Sequence, residues 1–174
     1  MKYTEEEIEK WAKQYSKMLG MIEEDLKLPS GFLTALNHED DWSFIIKSHA
    51  LIEAALSNHL SKSIDSKLEP IFDKLELSNS RTGKLAFAEA LGVLDSKQRM
   101  FIRKLSELRN TIVHNIHYIN FDLKSYFMSL DKKQRDSFIE AFTYIKQTPK
   151  GEKAWKPSAL KILNKPYHWV SFFY

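Results

Sequence analysis

The chain of 174 residues contains no cysteine, and it has only five glycines and five prolines. Without cysteine, disulfide bonds and thiolate metal sites are both excluded. No apolar run approaches the length that crosses a bilayer, and the start, MKYTEEEIEKW, is acidic and lacks the apolar stretch of a signal peptide. We therefore expect a cytoplasmic protein with no membrane contact. The length suits a single domain over residues 1–174 that buries its own core.

The net charge is only +3, but the charged residues are unevenly distributed. Residues 1–41 hold five lysines against ten acidic residues, whereas residues 124–174 hold ten basic residues against four acidic ones. A basic segment can attract phosphate. Solvated lysines and attraction between the two halves explain the same distribution, so charge alone assigns no function.

Apolar residues recur at helical spacing along most of the chain, and no segment alternates with period two. The predicted helices lie, in chain order, at residues 4–22, 40–60, within 68–77, 81–92, 96–115, 131–146 and 158–163. Thr4 with Glu7 fits a capping box for the first helix, and a loop is expected around Pro29. We predict an all-α fold, a compact helical bundle of about five to seven helices. The motif-bearing core would span about 40–145 and a short extension 146–174.

The second helix, DDWSFIIKSHALIEAALSNHL, is apolar on most of its circumference, which is typical of a central, buried helix. Its cap is expected at Asp40 or Asp41. Glu53 is its one acid beyond that cap, and it shares a face with His49, a pair whose spacing is more typical of structure than of a metal site.

A tight helical hairpin is predicted between residues 92 and 95. Gly92 has the position of a left-handed helix C-cap, and Asp95 with Gln98 fits a capping box for the helix that follows. On a helical wheel that next helix has two faces. Its apolar stripe consists of Phe101, Leu105, Leu108 and Ile112, and its polar stripe of Arg103, Glu107, Asn110 and His114.

The stretch LRNTIVHN near the end of this helix groups Arg109, Asn110 and His114. Arg109 lies between the two stripes, and in one ideal helix it diverges from His114 by roughly 140°. Two copies of the helix that meet across a two-fold axis could place Arg109 of one chain beside His114 of the other. This divergence predicts a homodimer.

The motif resembles the Arg-polar-x3-His signature of the HEPN superfamily, helical bundles that often act as ribonucleases. A longer stretch, SFIIKSHALIEAALSNHL followed by TGKLAFAEALGVLDSKQRMFIRKLSELRNTIVHN, is similar to the mannitol operon repressor family. Together the two resemblances cover roughly residues 43–115. Ile116 stands where some HEPN toxins carry a tyrosine that a partner enzyme modifies, so such modification is not expected.

The HEPN resemblance implies a metal-independent endoribonuclease in bacterial defence, toxin or stress biology, with a composite site at the dimer interface. His114 would take or give a proton, Arg109 would grip phosphate oxygens, and Asn110 would position the 2′-OH or a phosphate oxygen. Glu53 would pair with Arg109 and orient it, without contacting the substrate itself. No metal and no cofactor are implied.

Other interpretations of the same residues stay open. Arg109 could pair with Glu53 only to support the fold, since buried charges are normally paired, and His114 could satisfy a helix C-terminus. The protein could then be a non-catalytic regulator that resembles the mannitol repressor and binds a protein partner through the same surface, or a plain dimerisation module. If it is a toxin, an antitoxin is a possible partner. DNA binding is not expected, because no basic recognition helix is evident.

Overall fold

A computed structural model describes residues 4–142, apart from the side chains of residues 5, 7, 8 and 11. Within that range the chain forms eight α-helices and no strand, so the predicted all-α class is confirmed. The helices are α1 (Glu5–Asp25), α2 (Phe32–Leu36), α3 (Asp41–Ile64), α4 (Glu69–Phe72), α5 (Lys84–Ala90), α6 (Ser96–Val113), α7 (Leu123–Ser129) and α8 (Lys132–Phe142). None of them combines the length and hydropathy that a bilayer span requires.

Three predictions lie outside the described residues or side chains. The Thr4–Glu7 capping box involves an undescribed side chain, and the helix expected at 158–163 and the extension 146–174 follow the described range. The described helices exceed the predicted five to seven because α2 and α7, of five and seven residues, were not predicted. Such short segments contain too few residues to show a helical period.

The chain divides into two compact units, the first ending at Glu39 and the second beginning at Asp40. In the first unit, α1 and α2 are joined by the predicted loop, in which Gly31 adopts the left-handed conformation (φ 81°). The buried Glu23 carboxylate accepts the backbone N–H of Gly31 and of Leu33, each at 2.8 Å. Because first-turn N–H groups have no partner within their helix, this carboxylate caps α2 from the preceding helix.

The second unit is organised around α3, which packs against α4, α5 and α6. Asp40 caps α3 as predicted, because its side chain accepts the Ser43 N–H at 2.9 Å. At the same end, Asp41 Oδ2 accepts the Leu123 N–H at the start of α7, at 2.8 Å. The buried residues of α3 run along its length, so its prediction as the central helix is confirmed; they include Phe44, Ile45, Leu51, Ile52, Leu56 and Leu60.

The hairpin between α5 and α6 follows the sequence prediction. Gly92 has φ 65° and stands just beyond α5, and Asp95 and Gln98 form a reciprocal capping box at the start of α6. The four residues of the predicted apolar stripe are at most 3% exposed, and the four of the polar stripe are all exposed. Helix α6 therefore presents its C-terminal polar residues to solvent.

Candidate functional site

Arg109, Asn110 and His114 occupy the C-terminal end of α6, where the sequence places them. Arg109 Nη1 donates a hydrogen bond to Asn110 Oδ1 at 3.0 Å. The Asn110 carbonyl accepts the backbone N–H of His114 at 3.2 Å, and His114 is the C-cap residue of the helix. The last turn thus fixes the backbone spacing of the three groups.

The three side chains differ in exposure. Arg109 is half-buried, whereas Asn110 and His114 are exposed. Within the described part of the chain, no carboxylate lies within ion-pair distance of Arg109, and Asn110 is its hydrogen-bond partner. A guanidinium carries five N–H donors and remains charged at any working pH. Arg109 therefore retains donors that could bind an anionic ligand.

The expected pairing of Glu53 with Arg109 is wrong. Glu53 Oε1 instead accepts from Lys84 Nζ at 2.9 Å. The Lys84 side chain is only 1% exposed, whereas that of Glu53 is 35% exposed. A buried ammonium requires a counterion far more than a half-buried guanidinium does, and packing of α5 on α3 brings Lys84 to the carboxylate.

His49 links α3 to α6 on the same side of the unit. Its Nε2 lies 3.1 Å from Ser106 Oγ, and Ser106 Oγ in turn donates to the Ile102 carbonyl at 2.9 Å. Because the serine proton points to that carbonyl, we infer that His49 donates through Nε2–H. Its Nδ1 faces Glu53 Oε2 at 4.0 Å, which is too long for a hydrogen bond.

The pKa of His49 lies below its ordinary value of 6.5. Burial is the main cause, because it disfavours the imidazolium. The Glu53 carboxylate opposes this effect, whereas the positive charges of Arg109 and Lys84 add to it. His49 is therefore neutral near pH 7, and the charges of Glu53, Arg109 and Lys84 all influence its pKa.

Ser106, His49 and Glu53 follow one another in the order of a nucleophile, a base and an orienting acid. Ser106 is only 3% exposed, and its hydroxyl proton is engaged by a helix carbonyl. A substrate carbonyl could not approach it, so this arrangement joins two helices and is not a hydrolytic centre. We name His49, Glu53, Lys84 and Ser106 the buried polar cluster.

Three large apolar side chains at and just beyond the end of α6 are exposed. Val113, Ile116 and Ile119 are 38%, 76% and 68% exposed, respectively. Ile116 belongs to a 3-10 turn that directly follows the helix. A contiguous exposed apolar surface is typical of a site that contacts another molecule, and these three residues are candidates for one because they lie close together in sequence. We name these three residues the apolar rim.

Among residues 4–142, no group of three or more His, Asp or Glu side chains lies close enough together to hold a metal ion. Comparisons of the chain with protein family models, with curated proteins and with solved structures find no match. The HEPN resemblance therefore rests on the motif and on its place in the helical unit.

Lys84 and Ser106 are the residues of the buried polar cluster that sequence reasoning missed. Lys84 follows Gly83 at the start of a short helix, where a lysine is ordinarily solvated. The available signal was the unpaired acid in α3, which required some cation, but the sequence contains 26 basic residues to choose from.

Proposed function

We propose that the protein is a metal-independent endoribonuclease whose site is formed by Arg109, Asn110 and His114. The observation that carries the proposal is the state of Arg109. It is held by Asn110 at 3.0 Å, no described carboxylate pairs with it, and the exposed His114 follows within the same end of α6. A cation without a carboxylate partner and an exposed imidazole, both at the end of α6, are the groups that cleavage of a phosphate diester requires.

The reaction requires no group beyond these side chains and the substrate. A base removes the proton of the ribose 2′-OH, and O2′ attacks the adjacent phosphorus. The P–O5′ bond breaks, and an acid protonates the leaving O5′, giving a 2′,3′-cyclic phosphate and a 5′-hydroxyl end. His114 is proposed to transfer the proton, and Arg109 to neutralise the charge that develops on the phosphate oxygens.

The site is proposed to be composite. In one helix, Arg109 and His114 diverge by roughly 140°, so a second copy would supply the missing group. The apolar rim of Val113, Ile116 and Ile119 gives that copy a surface to cover. We expect a homodimer at micromolar concentration by light scattering, and a monomer would contradict the composite site.

The proposal is tested by RNA cleavage with purified protein. Cleavage should persist in EDTA, leave 2′,3′-cyclic phosphate ends and spare DNA, which lacks the attacking hydroxyl. Arg109→Ala and His114→Ala should each lower the rate by about 100-fold or more. His117→Ala is the matched control, because this exposed histidine lies three residues beyond the motif and should retain most activity.

Two outcomes would contradict the proposal. If folded wild-type protein cuts no RNA across varied sequences, the ribonuclease activity is wrong. If cleavage requires a divalent metal, the proposed mechanism is wrong. A second candidate is a non-catalytic regulator that binds a different protein through the end of α6, where the apolar rim is exposed. In that case Ile116→Asp would abolish partner binding, whereas His114→Ala would not.

A further inference from the structure

Three aromatic rings pack together just beyond the motif. Between ring centroids, Tyr118 lies 5.9 Å from Phe121 and 6.4 Å from Tyr126, and Phe121 lies 5.5 Å from Tyr126. Phe121 is only 7% exposed, whereas both tyrosines are half-buried. Phe121 is therefore the buried support of two tyrosine rings that reach the surface. We name these three residues the aromatic cluster.

The hydroxyl groups of the two tyrosines have no partner within the described part of the chain. Neither forms a hydrogen bond there, and neither oxygen is buried away from solvent. Phenylalanine would pack against Phe121 without adding a polar group, and tyrosine is enriched where an apolar ring and a polar tip both contact another molecule. Packing therefore accounts for Phe121 but not for the hydroxyl groups of Tyr118 and Tyr126.

The 3-10 turn after α6 holds the aromatic cluster close to the motif. The backbone N–H of Tyr118 donates to the Asn115 carbonyl at 3.0 Å, and residues joined by such a bond have Cα atoms less than about 7 Å apart. Asn115 directly follows His114, at a Cα–Cα distance of about 3.8 Å. The Cα atom of Tyr118 therefore lies within roughly 11 Å of that of His114.

Tyr118 and the apolar rim lie on different sides of this turn. The backbone N–H of Ile119 donates to the Ile116 carbonyl at 3.2 Å, so the turn extends to Ile119. A 3-10 helix has three residues per turn, so the side chains of Ile116 and Ile119 eclipse each other and that of Tyr118 is offset by about 120°. A second copy of the chain that covers the rim therefore need not cover the aromatic cluster.

We propose that Tyr118 and Tyr126 form a base-stacking subsite for single-stranded RNA next to the motif. This inference rests on the proposed function. Every nucleobase has a π-face that can stack on an aromatic side chain. A stacked strand advances about 3.4 Å per nucleotide, so a base within about three nucleotides of a phosphate held at His114 reaches the cluster. The tyrosine hydroxyl groups can donate to the edge of that base or to a phosphate oxygen.

Binding is measured first, by fluorescence anisotropy with a labelled 2′-O-methyl RNA strand, which lacks the attacking hydroxyl and is not cut. Tyr118→Leu removes the π-face and keeps an apolar side chain, so the Kd should rise about tenfold, which is within the range for one stacked base. Tyr118→Phe keeps the ring and should stay within about threefold of wild type.

Phe87→Leu is the matched control. Phe87 is 39% exposed, and its ring contacts a buried ring, that of Phe72, at 5.3 Å. It lies on α5, which meets α6 at its start, whereas the motif lies at its end. The Kd of Phe87→Leu should therefore equal that of wild type.

Cleavage then shows which base is bound. A DNA strand that contains a single ribonucleotide can be cut at only one phosphate, because DNA lacks the attacking hydroxyl. In each of six substrates, a stable abasic analogue replaces one base, at the first, second or third position on either side of that phosphate. For wild type, kcat/KM should fall about tenfold at one position. For Tyr118→Leu it should fall less than about threefold there, because the ring that binds this base is already missing.

The outcomes separate the two proposals. If Tyr118→Leu weakens binding but wild type cuts no RNA, the subsite stands and the ribonuclease is wrong. If RNA is cut and Tyr118→Leu has the wild-type Kd and the wild-type abasic profile, the inference on the subsite is overturned. An equal loss of binding in Phe87→Leu also overturns it. Wild-type protein that neither binds nor cuts RNA overturns both proposals.

The wild type decides if Tyr118→Leu does not fold. Its abasic profile is then measured with the six cleavable substrates, or by binding with 2′-O-methyl strands that carry the same replacements. A drop of about tenfold at one position supports the subsite, and Tyr126→Leu should reduce that drop. A profile without a drop at any of the six positions overturns the inference.

Discussion

The buried polar cluster and the motif at the end of α6 contain similar residue types, a histidine and a cation in each, but their hydrogen bonds differ. In the cluster, Lys84 bonds to Glu53 and His49 to Ser106, across three helices. In the motif, Arg109 bonds to the neighbouring Asn110, and His114 is exposed at the helix end.

This difference separates polar groups that stabilise the fold from polar groups that remain available to bind a ligand. Cross-helix bonds between buried groups make each helix depend on the others, and removing one partner leaves an uncompensated charge. A bond between adjacent residues of one helix holds no second element in place. Substitutions in the buried polar cluster should therefore mainly lower the free energy of unfolding, and substitutions in the motif should mainly lower RNA cleavage.

The largest expected effect on stability comes from removing the counterion of Lys84. Glu53→Gln should lower the free energy of unfolding by about 2 kcal/mol, less than for a fully buried pair because Glu53 is partly exposed. Urea unfolding measures it. Glu107→Gln is the matched control, since Glu107 pairs with Lys104 at 2.9 Å with 65% of its side chain exposed, and surface pairs contribute about 0–1 kcal/mol. Equal losses in the two variants would show that the buried Glu53–Lys84 pair stabilises the fold no more than a surface pair does.

A smaller effect is expected from His49 as a function of pH. Because its folded-state pKa is lowered, the unfolded chain binds the proton more readily. Its contribution is therefore fully present above the unfolded value near 6.5 and is lost as pH falls through the lower folded value. Protonation would also add a third positive charge beside Arg109 and Lys84, with Glu53 the facing anion.

The measurement is the urea midpoint at pH 7.5 and at pH 5.5. His49→Gln, which keeps a donor for Ser106, should show a smaller drop between the two values than wild type does, whereas His117→Gln should keep the wild-type drop. An identical drop in all three proteins would show that His49 does not couple to folding.

The smallest effects on stability should come from the motif itself. Asn110→Ala and His114→Ala remove exposed side chains and should change the free energy of unfolding by no more than about 0.5 kcal/mol. Thermal unfolding followed by circular dichroism measures it. If either variant lost as much free energy of unfolding as Glu53→Gln does, the motif would serve mainly to stabilise the fold. The proposed ribonuclease activity would then lose support.

Most of the helical framework followed from local sequence signals. The caps at Asp40 and Asp95, the stop at Gly92 and the two faces of α6 depend on neighbours within a few residues, so periodicity and capping rules reach them. The partner of Glu53 depends on which helices pack together, and Lys84 lies 31 residues away. No local rule ranks one distant cation above another.

The candidate site divides in the same way. The positions and exposure of Asn110 and His114 follow from the wheel of one helix. The partner of Arg109 does not, because it depends on how the helices pack: Glu53 pairs with Lys84 on α5, and Arg109 bonds to Asn110.

The hydrogen bond from Leu123 N–H to Asp41 Oδ2 has a consequence for the order of folding. Its two ends are 82 residues apart in sequence, and closing a loop of that length costs on the order of 4 kcal/mol in chain entropy. We therefore expect it to form after the local α5–α6 hairpin. During synthesis the start of α3 gains this partner only when residue 123 has emerged, by which time all of α6 has been made. The end of α6 can thus take its helical form before the contact between α3 and α7 closes.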